Sequence, residues 1–221
     1  MEAVSSYRTT ENVSNPRTYY IPRPVVCQKK SYLILKRAFD LIFSFLGILI
    51  LLIPMALIAL LVVLDSPGNP IFKQERLGKD GVPFQIYKFR SMRLDAETDG
   101  PRWADKEDTR CTRFGAFLRK TRLDELPQLW NILKGEMSFV GPRPERKYFY
   151  DKFEKYIIGF SYRLTVTPGL TGYAQVNGGY ELEPEEKIVY DMEYIAHQSL
   201  RLDFVCMLKT VFVVFCGKGA R

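Results

Sequence analysis

The chain has 221 residues and a formal net charge of +7, with 47% hydrophobic and 14% aromatic residues, enough for the core of one domain with an appendage. The four cysteines are scattered without a Cys-x-x-Cys motif and His197 is the sole histidine, so a zinc site or a disulfide framework has no support and a reducing compartment fits best. The basic charge is compatible with nucleic acid, an anionic membrane surface or phosphorylated substrates.

Residues 1–30 are polar, rich in Tyr, Pro and Arg, and without periodicity, which predicts a flexible N-terminal arm. They lack the early apolar segment of a signal peptide. Residues 41–64 follow as a run of 24 uncharged, mostly apolar residues. That length is sufficient for a helix that crosses a membrane.

We predict that residues 31–66 form a re-entrant membrane hairpin rather than a single span, the alternative that length alone favours. Residues 21–40 contain five Lys or Arg and residues 73–93 contain six, so a span would translocate one basic flank against the positive-inside rule. Pro54 near the middle removes a backbone donor and should kink the helix, so we predict that the hairpin breaks at Pro54 into two helical arms. Both ends of the hairpin would then lie on the cytoplasmic face.

Residues 70–93 predict a β-hairpin, with Gly-Lys-Asp-Gly at 78–81 as its turn. Lys88 and Arg90 lie two positions apart on the second strand and therefore share a face. They would either bind phosphate or form a solvated basic surface. A short amphipathic helix is predicted at 112–121, with Thr112 as its N-cap.

The adjacent carboxylates Asp124 and Glu125 precede Pro127, which is tolerated in the first turn of a helix but not in its interior. This places Asp124 at or near the N-cap of a helix that ends at Gly135, where the helix dipole favours ionised carboxylates. Capping alone would explain the pair. The chemical alternative is that an aspartate attacks phosphorus, with Mg²⁺ bridging carboxylate and phosphate oxygens.

Arg119, Arg122 and Arg143 lie near this pair in the sequence. Arg143 is part of Gly-Pro-Arg-Pro, in which two prolines fix the backbone on either side. A rigidly presented arginine suits preorganised phosphate binding, although an exposed turn is the simpler interpretation.

The C-terminal part predicts an amphipathic helix at 184–196 that starts at Pro184, and a second helix at 199–215 that is core or interfacial because charged residues interrupt its apolar run. We expect His197 to be structural or on the surface. The pattern as a whole predicts an α/β (α+β-like) fold that is mostly helical with a small β-hairpin. Residues 67–221 would form a cytosolic catalytic domain with membrane-associated helices.

Several segments, in order, resemble the bacterial sugar transferase family, the monotopic phosphoglycosyl transferases. These are Lys36-Arg37 with Asp40, FKQERLGKDGVPFQIYKFRSM (72–92), LRKTRLDELPQLWNILKGEMSFVGPRP (118–144), VTPGLTGYAQVNGG (166–179) and YDMEYIAHQSLRLDF (190–204). The similarity covers about residues 33–215, and several long motifs in the correct order are highly specific.

The resemblance implies transfer of a sugar-1-phosphate from a UDP-sugar to undecaprenyl (polyprenol) phosphate with release of UMP, at the cytoplasmic face of the bacterial inner membrane. It implies that Asp124 is the nucleophile, that Glu125 is essential and that Mg²⁺ sits at the pair. Lys88 and Arg143 match the conserved lysine and arginine of the family. It also implies that the membrane hairpin does not cross the bilayer.

Two positions depart from the family pattern. Gly179 stands where many members have arginine, which puts contacts to the nucleotide or sugar in doubt, and Arg122 stands where a small hydroxyl residue is common. The chain resembles a bare catalytic core without the multi-span N-terminal region of larger members.

Two other functions stay open. A membrane-anchored basic scaffold without catalysis would bind anionic lipid or a partner and would not need Asp124 or Glu125. A nucleic-acid-binding protein is disfavoured by the apolar segment. The sugar, the polyprenol length and self-association into a homo-oligomer are not determined by the sequence.

Overall fold

The computed structural model describes residues 9–10, 18–26, 29–96, 109–178 and 182–215. The described chain is mostly helical with three small sheets, as predicted at the level of fold class. Its strands are β1 (Thr9–Thr10), β2 (Thr18–Tyr20), β3 (Ile71–Leu77), β4 (Pro83–Phe89), β5 (Ser138–Val140), β6 (Ile157–Ile158) and β7 (Gly169–Thr171). Its α-helices are α1 (Lys30–Asp65), α2 (Arg113–Thr121), α3 (Leu129–Lys134), α4 (Lys147–Phe153), α5 (Tyr173–Asn177), α6 (Pro184–Ala196) and α7 (Leu200–Phe215).

Helix α1 contains the apolar run, and among the described helices it alone is long and apolar enough to cross a membrane. The most apolar 18-residue window of this helix has a mean hydropathy of 3.1, and 11% of that window is buried against the rest of the chain. The helix continues through Pro54 without an interruption, so the predicted helix break is absent. The return of the chain to one membrane face therefore stays a prediction.

Both ends of α1 are attached to the same globular unit. Near its start, the Lys36 ammonium forms an ion pair of 2.8 Å with Asp203 on α7, and Asp40 accepts a hydrogen bond from the Phe139 backbone N–H. Near its end, Val62 is buried in a cluster with Phe89 and other apolar side chains. The helix is thus packed along its length, although the prediction treated it as a separate segment.

The predicted β-hairpin is confirmed. Strands β3 and β4 pair antiparallel, with Ile71 opposite Phe89 and Leu77 opposite Pro83. The turn between them passes through Asp80 and Gly81, both with positive φ, which matches the predicted turn sequence.

The second sheet joins distant segments, because β5 and β7 pair in parallel with Ser138 opposite Gly169. Around it, α4, α6 and the 3₁₀ turn Phe160–Thr165 bury the main core, which includes stacked and edge-to-face aromatic pairs. Helix α6 starts at Pro184 as predicted, behind a capping box formed by Glu183 and Glu186. His197 ends this helix with an exposed side chain, in agreement with a surface role.

The N-terminal arm is not loose where the structure describes it. Strand β2 pairs antiparallel with β1 and parallel with β6, and Ile21 is buried in the main core. Alternation is hard to recognise in three residues, so the sequence did not reveal this attachment.

Candidate active site

Asp124 and Glu125 lie on a 3₁₀ helix, Leu123–Gln128, that connects α2 to α3. Thr112 caps α2 as predicted by accepting a hydrogen bond from the Gly115 N–H at 2.9 Å. Arg122 ends α2 in the left-handed conformation and turns the chain into the 3₁₀ helix. The predicted position of Asp124 at the N-cap of an α-helix is therefore wrong, because the turn containing Pro127 is 3₁₀ and α3 begins only at Leu129.

The two carboxylates are 7% exposed and face two cations from other elements. The Lys88 ammonium on β4 donates to Glu125 Oε1 at 2.8 Å and lies 3.9 Å from Asp124 Oδ2. Arg143 Nη2 donates to the same Glu125 oxygen at 2.5 Å. The structure thus brings together four of the predicted site residues, and it engages Glu125 more strongly than Asp124.

This unequal pairing separates the acidities of the two carboxyls. Burial raises the pKa of Asp124; the Lys88 charge partly offsets this, and the adjacent Glu125 charge adds to it. Burial would also raise the pKa of Glu125, but the charges of Arg143 and Lys88 outweigh it and hold that pKa well below its usual range. Glu125 therefore keeps its charge to lower pH than Asp124 does.

Two of the remaining predicted residues, Arg90 and Arg119, line the cavity that contains the carboxylate pair but form other hydrogen bonds. The Arg90 guanidinium donates to the backbone carbonyls of Ser66 and Pro67. It thereby attaches the segment that directly follows α1 to the end of β4. Arg119 Nη1 donates to the Cys111 sulfur at 3.0 Å. Of the predicted phosphate-binding residues, Lys88 and Arg143 contact the carboxylate pair, whereas these hydrogen bonds of Arg90 and Arg119 go elsewhere.

Asn131 of α3, which the sequence analysis missed, binds the backbone of the strand that carries Lys88. Asn131 Oδ1 accepts from the Tyr87 N–H at 3.1 Å, and its Nδ2 donates to the Gln85 carbonyl at 2.7 Å. One side chain thereby attaches β4 to the helix that follows the carboxylates. No local sequence signal indicates this contact, because the partners are more than forty residues apart.

The turn that presents Arg143 is held by a buried ion pair, also missed. Arg163 Nη2 donates to the Arg143 carbonyl at 2.9 Å, and Arg163 Nε meets Asp191 Oδ2 at 2.6 Å. The two ionic side chains are 0% and 2% exposed. Asp191 lies in the YDMEY segment of the family resemblance, which was the one available signal.

A third missed group lies beside the turn. Glu145 pairs with Arg76 at 3.1 Å and with Lys187 at 2.8 Å. Burial opposes its ionisation, but these two charges prevail and lower the pKa of Glu145 to about 2. A permanently charged carboxylate therefore orders two more cations at the edge of the site.

The carboxylate pair, its two cations and Glu145 line a cavity of about 330 Å³ whose described walls include ten Arg or Lys residues and three carboxylates. Such a basic cleft suits an anionic ligand with several phosphate oxygens. Among the described residues, no three His, Cys, Asp or Glu side chains are grouped so as to hold a metal ion. Gly179, one of the two departures from the family pattern, lies outside the described residues.

The structure thus has a buried carboxylate pair in a basic cleft, in a chain that also carries a long exposed apolar helix. The chain belongs to the bacterial sugar transferase family, whose model matches residues 31–217.

Three relatives illustrate the family. The chain is 41% identical, over 91% of its length, to a UDP-N-acetylgalactosamine-undecaprenyl-phosphate N-acetylgalactosaminephosphotransferase of Aeromonas hydrophila. It is 43% identical over 85% to a UDP-glucose:undecaprenyl-phosphate glucose-1-phosphate transferase of Escherichia coli K12. It is 40% identical over 87% to a UDP-galactose-lipid carrier transferase of Erwinia amylovora. The matches cover 47%, 41% and 43% of these relatives, so the chain spans less than half of their length.

Proposed function

We propose that this protein transfers a sugar-1-phosphate from a UDP-sugar to undecaprenyl phosphate, releases UMP and so initiates polysaccharide or glycoconjugate assembly. The observation that supports this most is the geometry of the buried carboxylate pair. Lys88 and Arg143 both bind Glu125, whereas Asp124 lies at the longer distance of 3.9 Å from Lys88. The names of the relatives share undecaprenyl phosphate or a lipid carrier as acceptor, and they differ in the sugar.

In the proposed reaction, an Asp124 carboxylate oxygen attacks the phosphorus attached to the sugar. The bond from this phosphorus to the bridging oxygen breaks, and UMP leaves with that oxygen. A phosphate oxygen of undecaprenyl phosphate then attacks the aspartyl phosphosugar, which regenerates Asp124 and forms a lipid diphosphosugar. Lys88 and Arg143 would bind the charged phosphate oxygens, and Glu125 would keep both cations in position.

We include Mg²⁺ in this proposal because the donors fit an ion shared with the substrate. Mg²⁺ is commonly held by one or two carboxylates together with substrate phosphates, and Asp124 provides such a carboxylate. Glu125 fits less well, since one of its oxygens already accepts from two cations. Bound there, the ion would neutralise phosphate charge and so allow an anionic nucleophile to approach.

We further propose that α1 is monotopic, with both ends at the cytoplasmic face of the bacterial inner membrane. Its first turns contact α7 through Lys36, and its last turns pack on β4 and α2 through Val62. A span would place the segments that contact the two ends of α1 on opposite faces of the bilayer, whereas one globular unit contacts both ends. The exposed apolar side chains between them would face lipid.

The test of the function uses a UDP-sugar labelled in the sugar, with Mg²⁺ and no lipid acceptor. The labelled sugars are those named for the relatives, N-acetylgalactosamine, glucose and galactose. We expect covalent label on Asp124 by peptide mapping and no label in Asp124→Asn. In a separate assay with undecaprenyl phosphate present, initial rates at varied concentrations of both substrates should give parallel lines. The matched control is Asp151→Asn, which changes an exposed carboxylate on α4 and should label normally.

Absence of label together with intersecting lines would defeat the covalent route and leave the overall transfer standing. Absence of UMP release with every UDP-sugar tried, with undecaprenyl phosphate present, would defeat the transferase itself. A basic scaffold bound to anionic lipid would then be favoured.

A further inference from the structure

A second cleft, of about 130 Å³, adjoins the carboxylate pair. Its walls come from the 3₁₀ helix, β7, α5 and α7, and they include four aliphatic side chains, namely Leu126, Leu170, Val176 and Val213. Two of its polar groups pair with each other, since the hydroxyls of Thr171 and Thr210 are 2.6 Å apart. The amide of Gln175 completes the wall, so two of the nine lining residues are charged, against thirteen of the 21 around the basic cavity. The cleft is therefore the less polar of the two, and we call it the apolar cleft.

The two cavities meet at the active site. Arg122 and Glu125 line both of them, whereas Asp124 lines the basic cavity. A ligand with a phosphate on one side of this junction and hydrocarbon on the other would match the change in lining. Arg122 at the junction offers the positive charge that such a phosphate requires.

The apolar cleft also shares a wall with an exposed apolar surface. Thr210 and Val213 of α7 line it, while Leu208, Val211 and Phe212 on the same helix are between 54% and 67% exposed. Hydrocarbon in the cleft could thus remain continuous with hydrocarbon against α7. A wholly water-soluble ligand would gain nothing from this continuity.

We propose that this cleft holds the isoprene unit nearest the phosphate of the polyprenyl phosphate acceptor, with Arg122 beside that phosphate. The inference rests on the proposed function and adds to it the place where the lipid enters. A cleft of this volume accommodates one branched isoprene unit, and the rest of the chain would lie along α7. The nucleotide sugar and the lipid would therefore approach Asp124 through different cavities.

The first test fills the cleft with Val213→Phe and compares it with Val82→Phe, the same change at an exposed position in the turn between β3 and β4, which lines neither cavity. Two readouts are measured: exchange of labelled UMP into the UDP-sugar without lipid, and KM for undecaprenyl phosphate. The quantity compared is the ratio of this KM to the exchange rate, each relative to wild type. We expect Val213→Phe to raise the ratio by about tenfold, the effect of losing roughly two buried methylene groups. Val82→Phe should change this ratio by less than about twofold. Equal ratios in the two variants would overturn the inference.

The second test uses the unmodified protein, so it holds even if Val213→Phe does not fold. A polyprenyl phosphate with a photoreactive group on its first isoprene unit is irradiated with the protein, and labelled peptides are mapped. Label on cleft residues of the 3₁₀ helix, β7, α5 or α7 supports the inference, and label confined to residues outside the cleft overturns it. Wild-type protein that performs neither UMP exchange nor lipid transfer would instead refute the proposed function on which the inference depends.

Discussion

Asp191→Asn should unfold the protein at a markedly lower temperature, because it removes the charge that balances the buried Arg163. The ion pair is 2.6 Å long, and its side chains are 0% and 2% exposed, so water cannot replace the lost partner. Breaking such a buried pair costs about 3–5 kcal/mol. For a domain of this size, each kcal/mol lowers Tm by roughly 2–4 °C, so the expected fall is roughly 6–20 °C.

Thermal unfolding of the detergent-solubilised protein measures this effect, and Asp151→Asn is the matched control. Asp151 pairs with Lys147 at 2.8 Å, but the side chains are 60% and 68% exposed. A pair of this kind contributes about 0.5 kcal/mol or less, so its Tm should fall by no more than about 2 °C. UMP release by Asp191→Asn should also decline below its Tm, since Arg163 holds the Arg143 carbonyl. Equal shifts in Tm for the two variants would refute the assignment of Asp191 as a buried anchor.

Three other predictions follow from the site and from α1. Arg143→Lys keeps the charge but loses the planar guanidinium, so kcat/KM for UMP release should fall by about 10²–10³; wild-type turnover would remove Arg143 from the mechanism. In a background without the native cysteines, Lys30→Cys and Pro70→Cys should both resist a membrane-impermeant thiol reagent in intact cells, and labelling of either one would indicate a span. Glu145→Gln should be less stable than wild type at pH 7, because a carboxyl whose pKa is depressed in the folded protein contributes stability above its ordinary pKa of 4.5. The difference in Tm between the two proteins should disappear as the pH falls to about 2, the pKa of folded Glu145. A difference in Tm that does not depend on pH would contradict this origin.

The elements predicted from the sequence were those with local signals. The turn at 78–81 has the glycine chemistry that a hairpin requires, and Thr112 precedes a short amphipathic helix in the usual capping position. Lys88 and Arg143 were found because their motifs resemble those of a known family. Only the structure shows that both side chains donate to the same oxygen of Glu125.

The features that were missed depend on contacts between distant segments. Asp191 pairs with a residue 28 positions away, and Glu145 pairs with one 69 positions away. A single charged residue has no periodicity, so its partner cannot be inferred from spacing. The sequence placed Pro127 in the first turn of a helix, whereas it is the fifth residue of the 3₁₀ helix Leu123–Gln128. The 3₁₀ helix packs against β4, and such a contact between distant segments is not visible in local propensity.

The attachment of α1 at both ends changes what counts as the smallest folding fragment. Composition suggests a boundary near residue 66, and deletion of everything before it would be the obvious route to a water-soluble fragment. Such a truncation would remove Lys36 from the buried Asp203 and would uncover Phe89 and Leu118, which Val62 shields. Soluble variants should therefore be sought by replacing the outward-facing apolar side chains of α1 while keeping its inward face, since that face belongs to the core of the domain.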